Sequence, residues 1–317
     1  MVGCVITHKG VIIGEGWHYK AGEAHAEVNA INSVKDKSVL KDATIYVSLE
    51  PCSHFGKTPP CANLIIQHNI PNVVVGCVDS FSEVSGRGIQ MLRNHGCNVI
   101  VGVLEKECLA LNKRFFTYHN KKRPYIILKW AESIDGFIAP KNNSKITWIT
   151  NNFSRQLVHK LRTEEQAILV GTNTAIIDNP KLNIRNWKGS KIVRVILDQT
   201  LKIPSENHIY DGSLKTIILT AKKRENKVNL FFEIIDFDKE ITSQICNVLY
   251  QHKLQSVIIE GGSKTLQSFI KANLWDQAHL YKGVTMFEKG IQAPKINGRL
   301  AIVKNIKNDS ISIYNND

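Results

Sequence analysis

The order of apolar and polar positions divides the first 120 residues into short segments that alternate between two patterns. Apolar runs bounded by Gly, Asn or Pro predict strands, and apolar positions that recur about every three to four residues predict helices. The predicted strands cover 2–7, 11–17, 43–49, 72–78 and 98–103, and the predicted helices cover 24–34, 62–68, 88–95 and 105–118. This alternation favours an α/β fold, a three-layer α/β/α sandwich whose sheet is mainly parallel.

A polar segment that ends in proline, Asn120-Lys-Lys-Arg-Pro124, separates this half from the next. It predicts a first domain of residues 1–120, a linker of residues 121–124 and a second domain of residues 125–317. In the second half, the predicted strands cover 125–131, 166–171, 193–198, 216–219 and 256–262, and a predicted helix covers 265–272. Several of these strands end in Gly and small polar residues, which favours a second α/β domain that binds phosphate groups where helices begin. The sequence has no G-x-G-x-x-G motif, so a standard Rossmann cofactor site is not predicted.

The length and composition of the chain are consistent with two domains and indicate where the protein is located. A chain of 317 residues is long enough for two domains of roughly 150 residues. No apolar run is long enough to span a membrane, and the chain opens directly on a strand-like segment, so neither a membrane anchor nor a signal peptide is expected. The seven cysteines are odd in number and mostly lie alone in apolar runs, which predicts a reducing, cytoplasmic location.

The formal charge of +13 raises the question of a nucleic-acid partner. The lysines are scattered along the sequence, and the chain is also rich in Asn and Ile, so compositional bias is a sufficient explanation. A basic surface would equally attract a phosphorylated metabolite or cofactor. No nucleic-acid partner is therefore expected.

The strongest chemical signal is the combination of His25-Ala26-Glu27 with Pro51-Cys52 and Cys61. An imidazole and two thiolates are good zinc ligands, and three protein ligands leave one coordination position for a water molecule, whose pKa falls from about 15.7 toward about 7. His25 and Glu27 are too close in sequence to share one face of a helix, so the pair is expected at a helix entrance, with Glu27 free to carry protons.

These residues, in this order, match the signature of zinc-dependent nucleobase deaminases. That signature has two residues between its cysteines, whereas eight lie between Cys52 and Cys61. Two other interpretations stay open at this point: a closed structural zinc site with His54 as fourth ligand, and a pair of unrelated buried thiols.

The longer segment Glu50-Pro-Cys-Ser-His-Phe-Gly-Lys-Thr-Pro-Pro-Cys61 resembles the bifunctional riboflavin-biosynthesis enzyme, and the resemblance extends over almost the whole chain. That enzyme joins a diaminohydroxyphosphoribosylaminopyrimidine deaminase to a 5-amino-6-(5-phosphoribosylamino)uracil reductase. The resemblance implies a cytidine-deaminase-like domain followed by a dihydrofolate-reductase-like domain. It implies zinc bound by His25, Cys52 and Cys61, and Glu27 as the catalytic residue. Lys57 and Thr58, in the long loop, are the candidates for the substrate phosphate.

In the second half, an ordered set of short motifs resembles the reductase domain of the same family. The resemblance implies an NADPH site formed by Ala131, Trp148, Thr174, Asp178, Gly262, Ser263, Lys264, Thr265, Leu266, Gln267 and Ser268. It implies a substrate site formed by Arg162, Leu182, Arg185 and Glu260, in which the two arginines could bind a ribose phosphate. Lys129 and Asp178 are the candidates for the proton donor. Individually, Trp148 could equally be a core aromatic, Arg162 a solvated helix residue and Asp178 a turn residue.

The implied substrate is a small phosphorylated pyrimidine, 2,5-diamino-6-(5-phosphoribosylamino)pyrimidin-4(3H)-one, which is deaminated before NADPH reduces its ribosyl side chain to ribityl. Neither nucleic acid nor a membrane is expected as a partner, and a homo-oligomer is left open. Three departures from the family pattern bear on this interpretation: no helix and Pro-Asn-Pro stretch precede Val2, Asp79-Ser-Phe-Ser82 replaces Asp-Pro-Asn-Pro, and Ile146 replaces a serine. The alternatives are a functional reductase with an inactive deaminase domain, and a nucleic-acid or nucleoside deaminase.

Overall fold

A computed structural model describes residues 1–20, 22–53, 59–79, 86–141, 147–189 and 191–316. The chain forms two compact units, unit 1 of residues 1–121 and unit 2 of residues 122–317. The division between them lies inside the predicted linker of residues 121–124. Within the described ranges, no helix combines the length and the apolar content needed to cross a membrane.

Unit 1 is built on a five-stranded sheet with the order β2-β1-β3-β4-β5. β1 pairs antiparallel with β2 and β3, and β3, β4 and β5 are parallel. The strands are β1 (Gly3–His8), β2 (Val11–Trp17), β3 (Thr44–Leu49), β4 (Asn72–Cys77) and β5 (Asn98–Val101), and the helices are α1 (Ala26–Ser33), α2 (Cys61–Gln67), α3 (Arg87–Asn94), α4 (Glu105–Leu111) and α5 (Lys113–Lys121). The mixed sheet with its parallel half confirms the predicted α/β architecture.

The single helix predicted over residues 105–118 is wrong, because the chain breaks at Asn112 into α4 and α5. Asn112 is buried, and its side-chain carbonyl accepts a hydrogen bond from the ammonium group of Met1, 2.5 Å away. Asparagine has a low helix propensity because its side chain competes for local hydrogen bonds. The break coincides with this contact to a residue more than one hundred positions away in sequence, which the apolar repeat cannot reveal.

Helix α1, which carries the His25-Ala-Glu27 segment, lies directly against strand β2. The two glycines of that strand allow this contact: a Cβ atom added at Gly16 would lie 2.4 Å from the Ala30 nitrogen and 2.7 Å from the Ala26 carbonyl oxygen. Gly14 makes a similar approach, with an added Cβ atom 2.6 Å from the Ala30 oxygen. The small residues of β2 thereby hold the start of α1 at the sheet.

Replacing Gly16 with alanine is expected to lower the free energy of unfolding of unit 1 by about 1–3 kcal/mol, because the added methyl group would overlap backbone atoms of α1. Urea denaturation of the full chain would measure the loss. Gly3→Ala, on the neighbouring strand β1, is the matched control, since no described atom lies within 4 Å of a Cβ added at Gly3. Equal stability of the two variants would contradict the close packing.

Unit 2 contains a nine-stranded sheet with the order β11-β10-β9-β8-β12-β6-β13-β16-β15, and a separate two-stranded sheet of β7 and β14. The strands are β6 (Tyr125–Glu132), β7 (Phe137–Pro140), β8 (Ala167–Val170), β9 (Val193–Leu197), β10 (Thr216–Thr220), β11 (Leu230–Ile234), β12 (Ser256–Gly261), β13 (Gln277–Lys282), β14 (Gly290–Gln292), β15 (Arg299–Ile306) and β16 (Asp309–Asn315). The helices are α6 (Asn152–Glu164), α7 (Thr172–Ile177), α8 (Ile241–Gln251) and α9 (Ser263–Lys271). The five strands predicted in this half are all present.

The path of the chain through this sheet creates a crevice. All strands from β11 to β13 in the sheet order are parallel. The chain leaves β6, runs outward through β8, β9, β10 and β11, and returns in β12 between β8 and β6. At such a reversal, neighbouring connections leave in opposite directions, and ligands bind at the carboxyl ends of the strands. The carboxyl ends of β6, β8, β9 and β12 are therefore the expected site of unit 2.

Candidate active sites

In unit 1, His25, Cys52 and Cys61 meet at the ends of three elements. His25 is the residue before α1 and has extended backbone geometry, so its ring lies off the helix entrance, as predicted. Cys52 follows β3 by three residues, and Cys61 is the first residue of α2. Backbone contacts join the two cysteine positions: the Cys61 N–H donates to the Cys52 sulfur at 3.3 Å, and the Ala62 N–H donates to the Cys52 carbonyl oxygen at 3.1 Å.

The geometry of these three side chains fits a zinc ion. The His25 Nδ1 atom lies 3.3 Å from the Cys61 sulfur and 3.5 Å from the Cys52 sulfur, and all three ligand atoms lie within 4.8 Å of one another. Tetrahedral zinc with ordinary bond lengths would hold a nitrogen and a sulfur ligand about 3.6 Å apart. The cluster is therefore already close to the spacing that zinc requires.

The two thiols are electrostatically coupled. A hydrogen bond between the two thiols lowers the pKa of Cys52, and the same interaction raises the pKa of Cys61. The pair therefore favours a thiolate at Cys52, and thiolate is the form that binds a metal.

Glu27 lies in the first turn of α1 and is 3% exposed. Its carboxylate interacts with Cys61, Cys52 and His25 but is not a member of the three-ligand cluster. Burial raises the pKa of Glu27 to about 7. A carboxyl group with this pKa, beside an open metal position, can both accept and return a proton near neutral pH.

Several predicted residues of unit 1 lie outside the described residues: Lys57 and Thr58, the alternative fourth ligand His54, and Ser80 to Ser82. Asp79, the acid retained from the family pattern, is buried two residues after the end of β4.

In unit 2, a cavity of about 690 Å³ lies at the carboxyl ends of the central parallel strands. This volume is within the usual range for small-molecule and cofactor sites. Of the predicted residues, those that line it are Lys129, Ala131, Thr174, Asp178, Glu260, Gly262, Ser263, Lys264, Thr265 and Leu266. Gly262 precedes α9 without a side-chain cap, so the first N–H groups of this helix are available to a phosphate group.

Glu260 is the electrostatic centre of this site. Its carboxylate lies 3.0 Å from the Lys129 Nζ atom and 2.7 Å from the Arg162 Nη2 atom, and all three side chains are at most 13% exposed. Burial would raise the pKa of Glu260, but Arg162 and Lys129 outweigh it and lower the pKa to about 2. Burial, followed by the charge of Glu260, raises the pKa of the nearby Asp178. The site thus combines an ionised glutamate, two cations and an aspartate that is easier to protonate.

The other predicted residues of unit 2 lie elsewhere around this site. Arg185 is exposed, and its charge acts together with that of Arg162 on the buried His159: burial, then the two arginines, lower the pKa of that imidazole to about 4. Leu182 is buried in the apolar core, away from the described cavity lining. Trp148 is 60% exposed, and its ring stacks with the guanidinium group of Arg155 at 4.3 Å. Gln267 and Ser268 directly follow Leu266, the last residue of α9 in that lining, and are not part of it.

Some residues that line the cavity were missed by the sequence analysis, notably Thr172, Asn173, Gln199, Phe237 and Ile291. Thr172, Asn173 and Gln199 directly follow β8 and β9, so the rule that ligands bind at the carboxyl ends of parallel strands could have found them. Phe237 and Ile291 have no comparable sequence signal, because they reach the cavity from segments whose strands were not predicted.

Comparisons with known proteins cover both units. A family profile described as the cytidine and deoxycytidylate deaminase zinc-binding region matches residues 1–77, and one described as the RibD C-terminal domain matches residues 124–298. The riboflavin biosynthesis protein RibD of Aquifex aeolicus is 38% identical over 327 residues, which cover 99% of this chain and 91% of that protein. The protein of the same name from Bacillus amyloliquefaciens is 39% identical over 290 residues, which cover 89% of this chain and 77% of that protein.

A solved structure is similar over the same length. It is a diaminohydroxyphosphoribosylaminopyrimidine deaminase/5-amino-6-(5-phosphoribosylamino)uracil reductase from Thermotoga maritima, 34% identical, with a TM-score of 0.90 over 99% of this chain and 91% of that one.

Proposed function

Because the chain belongs to the RibD family of riboflavin-biosynthesis proteins, we propose that its two sites carry out the two reactions of that family in succession. The chain is a bifunctional enzyme, a zinc-dependent deaminase and a reductase that uses NADPH. Its substrates are small phosphorylated pyrimidines. The assignment of deamination to residues 1–120, of reduction to residues 125–317 and of roles to individual residues is our proposal.

In the deaminase site, His25, Cys52 and Cys61 would hold zinc and leave one position open. When bound, zinc activates a water molecule for attack on the pyrimidine carbon that carries the exocyclic amine. Glu27 would take one proton from this water and give it to the ring nitrogen, and would then move the remaining hydroxyl proton to the amine, which leaves as ammonia. The observation that carries this assignment is the buried Glu27 carboxylate beside a three-ligand cluster, since a closed structural zinc site would have no use for it.

In the reductase site, the start of α9, from Gly262 onward, would bind cofactor phosphate through its free N–H groups. When bound, NADPH supplies the hydride that reduces C1′ of the ring-opened ribosylamine. Glu260 and Lys129 line the cavity, and Glu260 pairs with both Lys129 and Arg162. Lys129 and Asp178, which both line the cavity, are the candidates for supplying a proton to the sugar.

The substrate phosphate has two proposed sites. In unit 1 it is the segment of Lys57 and Thr58. In unit 2, the proposed phosphate site is the pair Arg162 and Arg185, and Leu182 of the same predicted set lies in the buried core. Of the two arginines, Arg185 is the better anchor, because Arg162 already pairs with Glu260 whereas Arg185 is exposed to an incoming anion.

The enzyme is proposed to work in the cytoplasm without a nucleic-acid or membrane partner, and self-association of the chain is compatible with this function. The seven cysteines, all free, suit a reducing compartment. An inactive deaminase domain is not favoured, since Glu27 and all three ligands are in place.

The first experiment follows ammonia release and NADPH oxidation separately, with zinc-loaded protein and the diaminopyrimidine substrate. Both signals are expected. NADPH oxidation only with the pre-deaminated uracil would instead mean a reductase with an inactive deaminase domain. If neither ammonia release nor NADPH oxidation is detected with either substrate, both assignments are refuted.

Removing zinc with a chelator is expected to abolish ammonia release and to leave NADPH oxidation with the pre-deaminated uracil unchanged, because the metal ligands all belong to unit 1. Adding zinc back should restore ammonia release, with zinc content measured at each step. Equal loss of both activities would contradict the separation of the two sites.

A further inference from the structure

Glu50 is a buried carboxylate that the proposed mechanism does not use. It is 4% exposed and lies directly between the end of β3 and Pro51-Cys52. Its Oε2 atom accepts hydrogen bonds from the Asp79 and Gly86 N–H groups at 3.2 and 2.9 Å. Its Oε1 atom accepts from the Gly88 and Ile89 N–H groups at 2.9 and 3.3 Å. An ionised carboxylate offers about four acceptor positions, and here four backbone donors converge on them.

These donors belong to the start of helix α3 and to the residue Asp79. The residue that precedes α3, Gly86, has no side chain to cap the helix, so Glu50 supplies both the acceptor and the negative charge that a helix start favours. Asp79 and Gly86 flank residues 80–85, so one carboxylate fixes the two ends of that connection.

The next residue, Pro51, is fixed by the same helix. A Cβ atom added at Gly88 would lie 2.0 Å from the Pro51 carbonyl oxygen, so α3 approaches the backbone as closely as a glycine allows. Cys52 then receives N–H groups of α2 on its sulfur and its carbonyl oxygen. Three consecutive residues thus connect the starts of α3 and α2, and the last of them is a zinc ligand.

We propose that Glu50 is a positioning residue of the deaminase site, which holds the Cys52 sulfur in the geometry that zinc requires. This inference rests on the proposed function of unit 1. Glu50 acts through the backbone of Pro51-Cys52 and through the ends of the 80–85 connection. Its burial requires several N–H partners, because a buried carboxylate without them is strongly unfavourable.

The test is Glu50→Gln in the full chain, which preserves side-chain size. Glutamine has one acceptor oxygen, so its NH2 group would face either the pair Asp79 and Gly86 or the pair Gly88 and Ile89. Zinc affinity, measured by competition with a chromogenic chelator, is expected to fall about tenfold or more, as is usual when the support of a metal ligand is lost. At saturating zinc, kcat for deamination should still be reduced.

Cobalt(II) substitution separates positioning from simple stability. The sulfur-to-cobalt absorption of the metal-saturated variant should shift in energy or intensity, whereas a purely structural role would lower the melting temperature and leave this spectrum unchanged. NADPH oxidation with the pre-deaminated uracil is the internal control for intact protein. Should Glu50→Gln fail to fold, Glu50→Asp keeps the charge and shortens the reach, and the same changes are expected in reduced size.

Asp36→Asn is the matched control, because Asp36 also caps a helical segment of unit 1, the short 3-10 helix Lys37–Asp42, through the Ser38 N–H at 2.9 Å, but is exposed. Its zinc affinity and cobalt spectrum should equal those of the wild type. If Glu50→Gln matches the wild type in affinity, spectrum and kcat, Glu50 has no positioning role. If the wild type itself neither binds zinc nor releases ammonia, the proposed function fails instead.

Discussion

Replacing Glu27 with glutamine is expected to lower kcat for deamination by about 10²- to 10⁴-fold, the usual contribution of a positioned general acid–base. Glutamine fills the same buried volume and cannot carry the proton from water to the ring nitrogen and the leaving ammonia. Because Glu27 lies outside the three-ligand cluster, zinc content should stay at the wild-type level. Ammonia release and bound zinc, measured on the same preparation, would test both parts.

Glu23→Gln is the matched control for this prediction, since Glu23 is an exposed carboxylate only four residues away. It should leave ammonia release unchanged. NADPH oxidation with the pre-deaminated uracil should be unchanged in both variants. A Glu27→Gln enzyme that releases ammonia at close to the wild-type rate would exclude Glu27 as the proton carrier, and one that loses its zinc would point to a role in metal binding.

The deaminase site could be predicted largely from the sequence because its chemistry is encoded locally. His25 and Cys61 lie directly at helix starts, and a start is the part of a helix that sequence signals locate best. The two-residue spacing from His25 to Glu27 predicted a helix entrance, and His25 does precede the first residue of α1. Glu50 belongs to the same motif, but the sequence does not indicate its role, because its four partners lie 29 to 39 residues further along the chain.

The reductase site was harder to predict because its contacts join distant segments. From the sequence, Arg162 is expected to be an unpaired cation that could bind a phosphate group. In the structure it pairs with Glu260, 98 residues away. Leu182 lies in the core, although its motif suggested a substrate contact. The sequence shows where the charged residues are. It does not show which oppositely charged side chain, in a distant segment, will pair with each of them.

Replacing Glu260 with glutamine is expected to destabilise unit 2 by about 3–5 kcal/mol, because it removes one partner of a buried charge cluster. Lys129 and Arg162, 13% and 12% exposed, would then face each other without a compensating anion. NADPH oxidation should be lost, since Arg162 belongs to the proposed substrate site and Lys129 is a candidate proton donor. Ammonia release from unit 1 should continue, which makes the deaminase the internal control for the variant.

Glu164→Gln is the matched control. Glu164 pairs with Lys160 at 3.9 Å on the surface of α6, with both side chains 47% exposed, and such pairs contribute about 0.5 kcal/mol or less. An equally small loss of stability in Glu260→Gln would contradict the claim that the buried charge cluster stabilises unit 2.

The pH dependence of unfolding tests whether Glu260 stabilises unit 2 through its charge. The pKa of Glu260 is lowered in the folded protein from 4.5 to about 2, so its ionised form stabilises unit 2 above pH 4.5, and this contribution is lost as the pH falls toward 2. Glu260→Gln should remove this part of the acid sensitivity. The stability difference between wild type and variant should therefore be largest near neutral pH and shrink between pH 4.5 and 2, as urea denaturation across that range would measure. A difference that does not change with pH would mean that Glu260 stabilises unit 2 through its shape and not through its charge.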